Sequence, residues 1–190
     1  MFQHHQETTS SMEGIILQPV EPGPVKLIIG ILYSDEVFLQ QSHQLLGKQF
    51  GPIDFFSSSF DFTISDYYIP EMGSPIFRQF ISFEQLVHPK DIAKIKITTN
   101  KIEDELAVQG KRKVNLDSGY LDFDKLVLAS AKYNGNKIYI DQGIWADLTL
   151  HYEKGKYDPY PWSFPDFKQG LYDSVFLEIR TKYKKQRKEN

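Results

Sequence analysis

Residues 112–143, RKVNLDSGYLDFDKLVLASAKYNGNKIYIDQG, carry the densest punctuation of the chain. RKVNL reads as a strand, with Val114 and Leu116 on one side of the pleat and Lys113, Asn115 and Asp117 on the other. Asp117-Ser118-Gly119 then reads as a turn, in which Asp117 bonds its own backbone and Gly119 takes a positive φ. Asp122 reads as the N-cap of a helix that ends at Gly135. KIYID and IWADLTLHY, separated by Gln142-Gly143, form a β-hairpin whose turn needs a positive φ at Gly143. Local geometry accounts for Gly119 and Asp122. It leaves Asn115, Tyr120 and the pair Lys125 and Lys132, seven apart on one face of the expected helix, as candidate functional residues.

Toward the N-terminus, KLIIGILY (26–33) is a near-continuous apolar run of strand length, the pattern of a central strand. SDEVFLQQSHQLLGKQFG follows as a helix capped by Ser34 or Asp35 and ended by Gly47 or Gly51. IDFFSSSFDF and PIFRQFISFE are strands joined by a long aromatic loop. HPKDIAKIKITTNKIEDELA is mostly helical, with the β-branched IKITTN as a place of interruption. Strand–helix–strand–strand–helix–strand is the ferredoxin-like order. The expected fold is α+β: a ferredoxin-like antiparallel sheet with two helices on one face, extended by a helix, a β-hairpin and a C-terminal helix. That last helix starts near Pro165, with Phe167, Leu171, Val175 and Ile179 as its core stripe.

The 190 residues suggest a single domain over 26–187, after a mobile leader (1–25) holding His4, His5 and several prolines, and before a basic tail end (188–190). A net charge of −3 offers no global field for DNA or an anionic membrane. The absence of cysteine excludes disulfides, thiolate metal sites and a thiol nucleophile, and no apolar run nears the roughly 18 residues of a membrane span. A cytoplasmic protein is expected.

The blocks KLIIGILYSD, RKVNLDSGYLDFDKLVLASAK, IYIDQGIWADLTLHY and YPWSFPDF resemble the bacterial and archaeal domain-of-unknown-function family numbered 4416. The resemblance brings no established activity, although some members are labelled GTP-binding. That label finds little footing in the residues. No G-x-x-x-x-G-K-[ST] loop occurs, and TTNKIEDE (98–105) has Glu103 where a guanine-reading N-K-x-D element needs aspartate.

Strand alternation supplies the sharper lead. If the strands share one sheet, its helix-free face carries Arg78, Glu84, Asn115, Asp117, Tyr139, Asp147 and Thr149. The carboxylates suit acid–base or magnesium work, and the cations suit an anionic substrate. A solvated face of cross-strand ion pairs is the competing reading. KYDPYPWSFPDFK (156–168), with Trp162, reads either as an aromatic lid over a ligand or as a tie closing a sheet edge. No metal ligand is assigned: the interior histidines lack zinc spacing, and no G-x-S-x-G elbow appears. Two functions suit these residues. One is binding, with or without turnover, of a small phosphorylated or nucleotide-like ligand on the polar face. The other is a non-catalytic interaction module using that face for a homodimer or partner.

Overall fold

The computed structural model describes residues 18–189. The expected leader falls mostly on residues 1–17, which lie outside the described residues. KLIIGILY lies in β1 (Val25–Tyr33), and every residue of that strand is buried. A strand apolar on both faces belongs in the middle of a sheet covered on both sides. In register it runs antiparallel to β4 (Phe77–Val87) on one flank and β5 (Val114–Leu121) on the other.

The remaining strands are β2 (Ile53–Phe56), β3 (Phe60–Asp61), β6 (Lys125–Ser130), β7 (Ile138–Asp141), β8 (Ile144–Glu153) and β9 (Lys156–Pro159). All pair antiparallel in one nine-stranded sheet whose path runs β2-β4-β1-β5-β6-β8-β7, with β3 beside β4 and β9 beside β8. The fold is α+β. Its helices are α1 (Glu36–Phe50), α2 (Ile69–Met72), α3 (Ile92–Glu105), α4 (Pro165–Lys168) and α5 (Asp173–Glu189). Asp35 caps α1, accepting the Val37 N–H at 2.8 Å, and Gly51 ends it at φ 90°.

Two cores lie on opposite faces of β1. Leu27, Ile29, Ile31 and Tyr33 share a buried cluster with Leu39 and Leu46 of α1 and Ile92, Ile95 and Ile102 of α3. Ile28 shares another with Phe80, Leu121, Leu126 and Leu150, and with Phe167, Phe176 and Ile179 of α4 and α5.

The structure departs from the expectations at several places. Asp117-Ser118-Gly119 is not a turn: it lies inside β5, opposite Gly30, Ile29 and Ile28. The expected helix from Asp122 to Gly135 is the strand β6. Asp122 does accept the N–H groups of Asp124 and Lys125, at 2.8 and 2.9 Å, as an N-cap would. Here it closes a tight β5–β6 turn, and Leu126–Ala129 are buried between β5 and β8. Lys125 and Lys132 therefore share no helix face, the second lying in the loop after β6.

The face expected to be helix-free is covered over part of its area by α4 and α5, because Ile28, Leu121, Leu126 and Leu150 point there and need apolar cover. Finally, Leu171 is 45% exposed. Helix α4 stops at Lys168 and Gly170 takes φ 69°, which resets the helical phase and gives the core position to Tyr172. The IKITTN segment causes no break in α3, since Ile95, Thr99 and Ile102 turn their β-branched side chains inward. The hairpin turn is as expected, with Gln142 at φ 51° and Gly143 at φ 78°.

Candidate functional site

Side-chain alternation puts Arg78, Phe80, Asn115, Asp117 and Gly119 on the face that also carries Ile28 and Leu32. Arg78 and Asn115 flank Leu32 from opposite sides, and Phe80 and Asp117 flank Gly30. The missing side chain at Gly30 matters, since a Cβ there would stand 3.0 Å from the Phe80 ring.

At this end of the sheet a chain of charges alternates in sign. The Arg78 guanidinium, 5% exposed, meets Asp166 at 3.2 Å and Asp117 at 3.3 Å. Phe62, Phe80, Phe167 and Tyr172 surround it at 5.0–5.9 Å. Asn115 Nδ2 donates to Asp117 Oδ1 at 2.9 Å, and its own Oδ1 accepts from Arg112 at 3.1 Å. Arg112 continues to Glu71 at 2.6 Å and Glu103 at 3.7 Å. Glu103 is buried, which pushes its carboxyl upward. Lys96, at 3.7 Å, and the Leu116 N–H, at 2.7 Å, oppose that shift. Burial, then the Asp117 charge, pushes the Tyr68 phenol up to about 12. Asp117 keeps 30% of its side chain in solvent and Glu71 keeps 38%, so these two carboxylates of the series are reachable, whereas Asp166 and Glu103 are not.

Asp147 lies on the same face, since it opposes Leu128, which opposes Gly119. It faces Lys137 at 3.5 Å, both being 10% exposed, and Lys137 also donates to Ser130 Oγ at 2.8 Å. Burial raises the Asp147 carboxyl above its ordinary range, and Lys137 only partly offsets this. The folded state thus holds that proton more tightly than the unfolded chain. The resulting stability is fully present below the ordinary carboxylate value of about 4 and is lost as pH rises through the folded value. Asp147→Asn should therefore hold or raise the melting temperature at pH 7. Melting curves from pH 3 to 7 check this, and a clear loss at pH 7 would refute it.

The family model for the domain of unknown function DUF4416 matches residues 23–183. The chain belongs to that family. No curated protein and no solved structure matches it.

In this DUF4416 chain the VNLDSGY block supplies Asn115 and Asp117, and the P-D of YPWSFPDF supplies Asp166. Other expected residues do not gather there. Tyr120 opposes Leu27 on the other face and packs against the core under α1 and α3. Lys125 shares that other face, paired to Asp122. Glu84 is exposed near the far end of β4, its carbonyl accepting from Gln186. Lys132 reaches the loop before α2, donating to the Tyr67 hydroxyl at 3.2 Å and lying 4.7 Å from its ring. Tyr139 is 54% exposed on the edge strand β7, beside Trp145. Thr149 is buried in the β8 irregularity, bonded to the Asp147 carbonyl.

The proline–aromatic segment forms a tie. Trp162 donates its indole N–H to Leu148 O at 2.9 Å, and Ser163 Oγ donates to Thr149 O at 2.5 Å. These carbonyls lie between the stretches of β8 that pair with β7 and with β9. Strand alternation does not reveal Arg112, Glu71, Glu103 or Asp166. Of these, Arg112 alone carries a signal in the sequence, standing three residues before Asn115.

Proposed function

We propose that this protein binds a small phosphorylated or nucleotide-like ligand on the polar end of the sheet face, over Asn115, Asp117 and Asp147. One observation carries the reading: Asp117 is held from two sides, by Arg78 and Asn115, yet keeps about a third of its side chain in water. A carboxylate fixed in that way is pre-organised to accept hydrogen bonds from a ligand. Lys132 and the exposed ring of Tyr67, which packs on Tyr68 beside Arg112, lie outside this cluster and would suit a phosphate and a planar group of a ligand that reaches beyond it. Among the described residues no group of three His, Asp or Glu side chains is placed to hold a metal. Magnesium would arrive with the ligand's phosphates. The same reading takes β1 to β5 as a ferredoxin-like core with α1 and α3 on one face, supported by the order β2-β4-β1-β5. It places the protein in the cytoplasm, where a chain without cysteine is at home; no described helix is long and apolar enough to cross a membrane.

A second reading, an interaction module, draws on Tyr133 and Tyr139, 71% and 54% exposed, which pack edge-on against Trp145 at 5.0 and 5.2 Å on the rim of the sheet. A homodimer is the simplest partner.

A thermal-shift screen of nucleotides and phosphometabolites, run with light scattering, separates the two. A ligand at a hundred times its Kd should add about 2.7 kcal/mol, roughly 5–10 °C for a chain of this size. Asp117→Asn should cost that shift while leaving the unliganded melting temperature near wild type. A dimer that responds to no ligand, with Asp117→Asn lowering the melting temperature, supports the module instead.

A further inference from the structure

At the other end of β1 from Arg78, a cavity of about 240 Å³ opens between the segment leading into β1, the β5–β6 turn and the last turns of α5. It holds Tyr120 and Lys125, two of the expected residues that do not gather on the polar face. Tyr120, Phe123 and Tyr183 contribute rings to its lining, the last two with centroids 4.8 Å apart.

The polar groups divide into those already satisfied and those left over. Asp122 is satisfied, accepting two backbone N–H groups and the Lys125 ammonium. Tyr183 donates to Pro24 O at 2.9 Å and accepts from Arg187 Nη1 at 3.0 Å. Arg187 uses only Nη1 in these bonds, so its Nε and Nη2 hydrogens have no hydrogen-bond acceptor among the described residues. Lys125 uses one of its three ammonium hydrogens. Asp124 lines the same cavity, and its carboxylate has no hydrogen bond or ion pair among the described residues.

Two cationic residues and one acidic residue, each with unused bonding capacity, thus line one small space together with aromatic rings. A simple anion would meet Asp124, and a simple amine would meet Lys125 and Arg187. A ligand carrying both charges meets neither repulsion. The volume is below the roughly 300–1,000 Å³ of drug-sized sites, which suits a metabolite of few atoms.

We propose that this cavity binds a free α-amino acid, with its carboxylate on Arg187 and Lys125, its ammonium on Asp124 and its side chain against the rings. The site is separate from the polar face and does not depend on it.

The test is a thermal-shift and calorimetric titration of the full chain with the twenty free amino acids, each beside its N-acetyl and amide derivatives. At least one free amino acid should raise the melting temperature, and both of its derivatives should fail to. Asp124→Asn should weaken that binding tenfold or more. Because this carboxylate makes no bond within the fold, the variant should melt like the wild type. Arg187→Gln should weaken binding likewise, and Asp117→Asn should leave it unchanged. The proposal is overturned if no free amino acid shifts the melting temperature, or if a blocked derivative binds as well as its parent. Equal binding by Asp124→Asn, or loss in Asp117→Asn, also overturns it.

Discussion

Arg78→Met should lower the unfolding free energy by about 3–5 kcal/mol, the range for removing one partner of a buried ion pair. The guanidinium is nearly out of water, and Asp166 is more so at 1% exposed. Among the described residues, the carboxylate of Asp166 would then keep only the Tyr172 hydroxyl, which donates to it at 3.2 Å. Asp117, partly in solvent, can hydrate and should contribute less to the loss. Methionine retains much of the apolar contact with the surrounding rings, so the deficit reports charge rather than packing. The double variant Arg78→Met/Asp166→Leu removes the stranded carboxylate and should recover a large part of the stability. Urea unfolding of the three proteins decides the matter. A single variant within about 1 kcal/mol of wild type would show that the pair is not a structural anchor, since losing a buried partner costs several times that.

Gly119→Ala should destabilise by about 1–3 kcal/mol or more, through overpacking between two strands. A methyl at Gly119 would run into the Val127 carbonyl oxygen and stand 2.8 Å from Leu128 Cδ2 and 3.1 Å from Leu128 Cα. The leucine side chain can swing aside, but the backbone oxygen cannot unless β5 and β6 separate. The reason differs from the turn expected of D-S-G. Gly119 lies in an extended strand, outside the positive-φ residues, and is glycine because its neighbour's backbone occupies the space. Gly143→Ala is the matched control. It sits at φ 78° in an open hairpin turn with nothing within 4 Å, and should cost about 1 kcal/mol. Melting curves should rank Gly119→Ala well below Gly143→Ala, and amide exchange should rise along β5 and β6. A Gly119→Ala protein as stable as the Gly143→Ala one would contradict the packing account.

The candidate site is legible in the sequence only in part. Arg78, Asn115, Asp117 and Asp147 follow from the two-residue period of their strands and do share one sheet face. Their partners are not legible. Glu71 and Asp166 come from α2 and α4, far along the chain from the Arg112 and Arg78 they meet, and Glu103, though close to Arg112 in sequence, stands on a different element, α3. No spacing rule ties such residues together. Tyr120 falls on the opposite face because β5 runs on past Asp117 as one unbroken strand, so the alternation continues through Ser118 and Gly119.

Local chemistry alone determines the apolar run of β1, the Asp35 cap of α1, the Gln142-Gly143 hairpin and the Asx bonding of Asp122. The last three rest on contacts within a few residues and the first is a property of consecutive residues, so the amino-acid order specifies each. Only the tertiary structure decided which element comes after Asp122. Its side chain takes the same two N–H groups whether a helix or a tight β-turn comes next, and DKLVLAS suits either. The strand wins because β5 and β8 offer hydrogen-bonding edges on both sides, burying Leu126 to Ala129. An isolated helix would leave those residues half in water. The same non-local term, apolar area needing cover, brings α4 and α5 onto a face that alternation alone marks as polar.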